Sequence, residues 1–249
     1  MKSEYSFVIW LNSCYNSGVK RDDTVGRLRS LFPPHQLDVI IGSLLGDARL
    51  ECRSVGIRYP ITARLRVHHG EKQKGYVFWK YEVLKNLVSK EPQKSLWNNP
   101  KRNLHEISWY FHTKSLREFG VLYHYFYKNS VKVLHRNIFD MFTPQMLAVW
   151  FMDDGSNIGG SFTMNTHSFS KEEQMRIVDF FKGCYDITAT VIKDRTKFKL
   201  AIGRNEYAKF MDIVQPFIIP SMTYKIVNPR NDLVALSDRS GEIGSLFLR

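Results

Sequence analysis

Two stretches of the chain end an apolar run on a carboxylate: Ile40-Ile41-Gly42-Ser43-Leu44-Leu45-Gly46-Asp47-Ala48 and Leu147-Ala148-Val149-Trp150-Phe151-Met152-Asp153-Asp154-Gly155. An ionised acid at the end of a buried segment costs free energy unless it is paired or binds a metal. If the run is helical, the acid also sits at the negative end of the helix dipole, where it calls for a cation. One such run would read as a helix-terminal acid facing water. The repetition points instead to two helices that pack together and deliver Asp47 and Asp154 to one metal site. Carboxylate oxygens suit Mg²⁺, which keeps several waters and takes only one or two protein carboxylates. Beside a phosphodiester, such a site both activates a water and steadies the leaving oxygen. Gly42 and Ala148 are the small residues that would let the two helix backbones approach closely.

The elements that must position these acids recur in the same order. Residues 1–35 read as an N-terminal extension with a helical stretch from about Asp23 to Leu31, and the first apolar helix runs from about Gln36 to Gly46. Ala48 to Ile57 and Tyr59 to His69 have strand character and suggest a hairpin turning near Gly56. In its second strand Thr62, Arg64, Arg66 and His68 alternate with Ala63, Leu65 and Val67, which puts the polar set on one face. Glu71 to Lys90 reads as a helix, Leu104 to Thr113 as a strand, and Ser115 to Tyr127 as an aromatic-rich helix, followed by a basic turn region from Lys128 to Arg136. Thr143-Pro144, a capping residue and then proline at the first helical position, opens the second apolar helix.

The order then repeats. Ser161, Thr163, Asn165 and His167 alternate with Phe162, Met164 and Thr166 as a second two-faced strand. Ser170 and Glu173 have capping-box spacing ahead of a helix through Phe181. Thr188 to Lys193 and Thr196 to Ile202 form a hairpin, and Asn205 to Val214 a last helix. Each half therefore reads helix, strand pair, helix, strands, helix, an internal duplication of an α+β unit. Residues 36–140 make the first half, 141–230 the second, and 231–249 a tail.

Charge says what the strand faces are for. The 249 residues carry 36 Lys plus Arg against 24 Asp plus Glu, a net +12 that points to a polyanionic partner, nucleic acid above all. Arg64, Arg66 and His68 in one half and Lys193, Lys197 and Lys199 in the other project from strands and can read base edges or grip phosphates. Arg49, Arg53 and Arg58 on the first hairpin are companions, as are Asn165 and His167. A membrane partner is disfavoured, because no apolar run reaches spanning length. The three cysteines, Cys14, Cys52 and Cys184, have neither zinc spacing nor a disulfide framework, which fits a reducing compartment. The start of the chain lacks the arrangement of a secretory signal.

The two runs are similar to the paired motifs of the LAGLIDADG homing endonucleases, in the single-chain form with two motifs. Thr143-Pro144 through Trp150-Phe151-Met152-Asp153-Asp154-Gly155, Asn165-Thr166-His167-Ser168-Phe169-Ser170, and Pro216-Phe217-Ile218-Ile219-Pro220-Ser221-Met222-Thr223-Tyr224-Lys225 resemble the yeast mitochondrial type. The resemblance covers roughly Gln36 to Val227. It implies two pseudo-symmetric αββαββα halves, with the motif helices at their interface and two antiparallel sheets forming a saddle on double-stranded DNA. It also implies two or three divalent cations, Mg²⁺ in function, shared by Asp47 and Asp154, with Gly46 and Asp153 placing a backbone carbonyl, or the Asp153 side chain, near them. Lys132 and Lys225 match the basic residue that each family half holds near the scissile phosphate.

The expected activity is that of a monomeric, site-specific endonuclease cutting both strands of a long asymmetric target to leave short cohesive ends. An intron RNA maturase, or a non-cleaving nucleic-acid-binding protein of the same fold, is the alternative. Retention of both acids favours cleavage, since a pure maturase has no chemical need for them. The absence of flanking splicing-domain motifs argues against an intein. The lack of a transit peptide fits a protein made where it acts, in a mitochondrion, a chloroplast or a bacterial cytoplasm.

Overall fold

The computed structural model describes residues 24–52, 62–99 and 104–227. A short helix α1 (Thr24–Arg29) precedes the first motif helix α2 (Pro34–Leu45), which has proline in its first turn and ends where Gly46 leaves helical geometry. Strands β1 (Arg49–Glu51) and β2 (Arg64–Gly70), helix α3 (Lys74–Leu84), strands β3 (Gln93–Asn99) and β4 (Leu104–His112) and helix α4 (Arg117–Phe126) complete the first unit. After a two-stranded ribbon, β5 (Tyr127–Lys128) and β6 (Val131–Lys132), the second unit repeats the plan. It has α5 (Pro144–Asp154), β7 (Gly155–Asn157), β8 (Phe162–Met164), α6 (Lys171–Tyr185), β9 (Ala189–Asp194), β10 (Lys197–Ile202) and α7 (Tyr207–Val214).

Each unit is thus αββαββα, and the two four-stranded sheets share one antiparallel topology, with orders β1-β2-β4-β3 and β7-β8-β10-β9. The motif helices pack on each other between the units. Val39, Ile40, Ile41, Leu44 and Leu45 of α2 and Leu147, Val149, Trp150, Phe151 and Met152 of α5 have no measurable exposure. Helices apolar all round belong in a core, and these two form its centre. Local chemistry fixes element starts in the second unit: Thr143 Oγ1 accepts the Met146 N–H at 3.1 Å ahead of α5, and Ser170 with Glu173 makes the full capping box of α6.

Several elements differ from the sequence reading. The strand expected over Ser161 to His167 is limited to Phe162–Met164, and all three of its residues are buried, Thr163 included. The chain turns away because Gln174 of α6 donates to the carbonyls of Thr166 and Phe169 while the Thr166 hydroxyl donates to Gln174 Oε1 at 2.8 Å. Asn165 and His167 therefore follow β8 instead of extending its face. The helix read over Glu71 to Lys90 is α-helical only over Lys74–Leu84, with a 3₁₀ turn at each end. The basic region after α4 contains the β5–β6 ribbon, turned by Asn129 and Ser130 at φ of 51° and 63°, a pair of left-handed residues that suits a two-residue hairpin.

Candidate active site

The C-terminal ends of α2 and α5 meet through residues at equivalent motif positions. A Cβ on Gly42 would lie 2.7 Å from Val149 Cβ and 2.6 Å from the Met146 carbonyl, so the residues nearest Gly42 are the two that flank Leu147 and Ala148. One turn on, a Cβ on Gly46 would lie 2.5 Å from Asp153 Cβ. Glycine in the first helix faces a larger residue in the second at both layers. This close approach brings Asp47, Asp153 and Asp154 into one electrostatic cluster.

Burial and neighbouring charge both raise the acids. Asp47, whose side chain is about half exposed, is raised first by desolvation and then by the charge of Asp153. Asp154 is raised to about 8, by burial first and then by Asp47 and Asp153, although Trp150 Nε1 donates to its Oδ2 at 3.3 Å. Asp153 is committed elsewhere: its Oδ1 takes Lys80 Nζ at 2.8 Å and its Oδ2 accepts the Asp47 N–H at 3.1 Å. Each Asp153 side-chain oxygen thus has a protein partner at the junction of the two motif helices.

Lys132 and Lys225 occupy equivalent places. Lys132 Nζ donates to the carbonyls of Gly46 and Ala48 at 2.8 and 3.0 Å. Lys225 Nζ donates to those of Asp153 and Gly155 at 3.2 and 2.7 Å. Each ammonium thus caps the exposed carbonyls of one motif helix end and helps to neutralise the acids beside it. Burial lowers the pKa of both lysines, against the charges of the three aspartates.

The described donor set fits a hard divalent cation on the Asp47 and Asp154 side: carboxylate and carbonyl oxygens and no sulfur. Asp47, His69 and Asp153 also offer ligand atoms within 4.8 Å of one another. Lys80 Nζ, 3.3 Å from His69 Nε2, already fills the cation's role on the inner side of that group. His69 itself is neutral, held down to about 4 by burial and then by Lys80. An open pocket of about 250 Å³ beside Asp47 is lined by Arg49, Arg66, His68, His69, Gly70 and Gln73.

The sheets distribute the other candidate residues. Arg49 pairs with Arg66 and Glu51 with Arg64 across β1 and β2, and His68 follows two residues along on the same face. Glu51 organises this face. It accepts from Arg49 at 2.8 Å and Arg64 at 2.7 Å and lies 3.5 Å from Arg66 Nη1 and 3.4 Å from His112 Nε2. Its burial would raise its pKa, but the hydrogen bonds from Arg49 and Arg64 prevail and hold it at about 2. In the second sheet Lys197 and Lys199 share a face, and Asp194 Oδ2 binds Lys199 Nζ at 3.1 Å and His167 Nε2 at 3.2 Å. Lys193 pairs with Phe198 and so projects from the opposite face to Lys197 and Lys199, because side chains alternate along a strand. Asn165 is exposed, and its N–H donates to the Asp154 carbonyl at 3.0 Å. Arg53 and Arg58 lie outside the described residues.

The sequence reading passed over Lys80, His69 and Glu51, although two of them carried a signal. Lys80 falls on the helical stripe of Tyr76, Val77 and Leu84, and His69 continues the buried phase of Ala63, Leu65 and Val67. A polar residue in an apolar phase marks a buried partner.

A duplicated αββαββα fold with paired acids at the junction of its motif helices defines the class. The chain belongs to the LAGLIDADG DNA endonuclease family, whose model matches residues 37–210. It is similar to DNA endonuclease I-ChuI of Chlamydomonas applanata, 32% identical over 208 residues, 77% of this chain and 94% of that protein. It is also similar to cytochrome b mRNA maturase bI2 of Saccharomyces cerevisiae, 28% identical over 203 residues, 77% of this chain but 47% of the maturase. The solved structure of homing endonuclease I-WcaI bound to its DNA recognition sequence shares the fold, with a TM-score of 0.72 at 22% identity over 87% of this chain and 98% of that one. Among the described residues no helix is long and apolar enough to cross a membrane.

Proposed function

We propose that the chain is a site-specific homing endonuclease that hydrolyses one phosphodiester in each strand of a long, asymmetric DNA target and leaves short cohesive ends. The observation that carries this reading is the equivalence of the two half-sites, in which Asp47 with Lys132 and Asp154 with Lys225 each combine a motif acid with an ammonium at the helix end. Mg²⁺ held by Asp47 and Asp154, two or three ions in all, with the Gly46 and Asp153 carbonyls nearby, would supply Lewis-acid chemistry at the phosphate. The chain's own residues do the rest. Lys132 and Lys225 offset charge on the phosphate or orient the attacking water. Arg49, Arg64, Arg66, His68, Lys197 and Lys199, joined by Asn165, His167, Arg53 and Arg58, hold the duplex by phosphate and base contacts. The two halves, residues 36–140 and 141–230, work as one monomer, made in the organelle or bacterium whose intron carries the gene.

The similarity to a maturase supports a second reading, in which the same surface binds intron RNA. Purified protein incubated with a plasmid carrying the uninterrupted insertion locus separates the two. Linear product in Mg²⁺ but not in Ca²⁺ is the expected result. Tight binding to intron RNA with no cleavage under any divalent ion would overturn the endonuclease.

A further inference from the structure

The residue before each motif acid differs between the halves, and only one half puts it to use. Asp153 Oδ2 accepts the Asp47 N–H at 3.1 Å, while its Oδ1 holds Lys80 Nζ at 2.8 Å. Neither side chain of this ion pair is exposed. His69 bridges the group, its Nδ1 3.6 Å from Asp47 Oδ2 and its Nε2 3.8 Å from Asp153 Oδ1. Tyr76, four residues before Lys80 on α3, donates to the Val149 carbonyl at 3.1 Å, so the same helix face is tied to α5 twice.

Among the described residues the second half has no counterpart of this network. Gly46 stands where Asp153 does and has no side chain to offer Asp154. Counted from the helix-capping residues Gly70 and Ser170, Phe180 takes the position of Lys80 and Phe169 that of His69. A buried ion pair is rarely more stabilising than a well-packed apolar one, and Phe180, ten residues past Ser170, is apolar and packs against Phe139 and Phe142. Packing alone therefore does not explain Lys80 and Asp153. Their geometry does: the pair ends on the backbone of one motif acid.

We propose that Lys80 and Asp153 are positioning residues for Asp47 alone, so that the two strand-cutting centres are unequal by construction. This inference rests on the endonuclease reading for its consequence in DNA, but not for the positioning itself. Lys80 fixes the Asp153 carboxylate, the carboxylate fixes the Asp47 N–H, and the loop between α2 and β1 presents the Asp47 side chain to the pocket lined by Arg49 and Arg66.

The test uses the full chain with both charges replaced, Lys80→Met with Asp153→Leu, and a milder pair, Lys80→Met with Asp153→Asn, which keeps an acceptor for the Asp47 N–H. Amide hydrogen exchange, measured without DNA or metal, should quicken at Asp47 by about tenfold or more in the leucine pair, and by less in the asparagine pair. On target DNA the strand that Asp47→Asn abolishes should be slowed about tenfold more than the other strand, so that nicked circles accumulate. Unchanged exchange at Asp47 would overturn the proposal, as would equal slowing of both strands. If the leucine pair does not fold, the asparagine pair decides by the same two readouts. Wild-type protein that cuts neither strand would refute the endonuclease reading, while the exchange result would still decide the positioning.

Discussion

Asp47 and Asp154 close helices whose last turns carry no basic residue of their own, so the cations that offset them come from distant parts of the chain. Lys132 reaches back from the β5–β6 ribbon and Lys225 from the 3₁₀ turn at Pro220–Lys225. That arrangement holds two ammonium groups on carbonyls next to the place where the donor set invites divalent ions. A further, half-buried acid shows the cost of an incomplete offset. Asp38 on α2 is raised to about 6, mainly by burial, although Thr143 bonds it and His35 and Arg29 lie near. Because the folded state binds this proton more tightly than the unfolded chain, stability falls as pH rises from about 4 to 6 and the full cost persists above that. Asp38→Asn lacks the titration. Its melting temperature should exceed that of the wild type by several degrees at pH 8 (about 2–4 °C per kcal/mol at this chain length), and the gap should close below pH 4. A difference that stays constant across pH would show that Asp38 is not the group responsible.

The contact between α2 and α5 depends on two glycines facing bulk. A Cβ at position 46 would press within 2.6 Å of Asp153 Oδ2, and that oxygen is already committed to Asp47. Gly46→Ala should therefore cost about 1–3 kcal/mol through overpacking, read as a fall in denaturation midpoint. Gly183 of α6, where an added Cβ would meet nothing within 4 Å, is the control, and Gly183→Ala should gain about 0.5–1 kcal/mol. Element starts were legible because local chemistry sets them, as Thr143-Pro144 and the Ser170 capping box show. Strand β3 was not. Its sequence, Gln93-Lys94-Ser95-Leu96-Trp97-Asn98-Asn99, is poor in β-branched residues, and it exists as a strand through pairing along most of β4. The shortness of β8 was equally hidden, since it follows from Gln174 capturing carbonyls brought close only by the folded helix α6.

Across the two halves together, the duplication, its acids and the contrast of Gly46 with Asp153 could be read from the chain, whereas the network that uses that contrast could not. Pseudo-symmetry predicts equal half-sites, and the lysines at both helix ends conform to it. The network of Lys80, His69 and Asp153 departs from it, and it joins residues more than seventy positions apart. A signal was present in the polar residues that interrupt apolar phases, but naming their partner required the packing of α3 against α5. The basic faces were visible as alternation. The Glu51 carboxylate that draws Arg49, Arg64 and Arg66 together emerged only from the pairing of β1 with β2.

If two acids at one helix junction each serve one DNA strand, cleavage resolved strand by strand must show it. Target plasmid labelled separately on each strand is incubated in Mg²⁺ with wild type, Asp47→Asn, Asp154→Asn and the double variant, with binding checked in Ca²⁺. Each single variant should leave a nick, on opposite strands, and the double variant should bind DNA without cutting it. Single variants that still cut both strands, or that lose both while binding normally, would contradict the division of labour between Asp47 and Asp154.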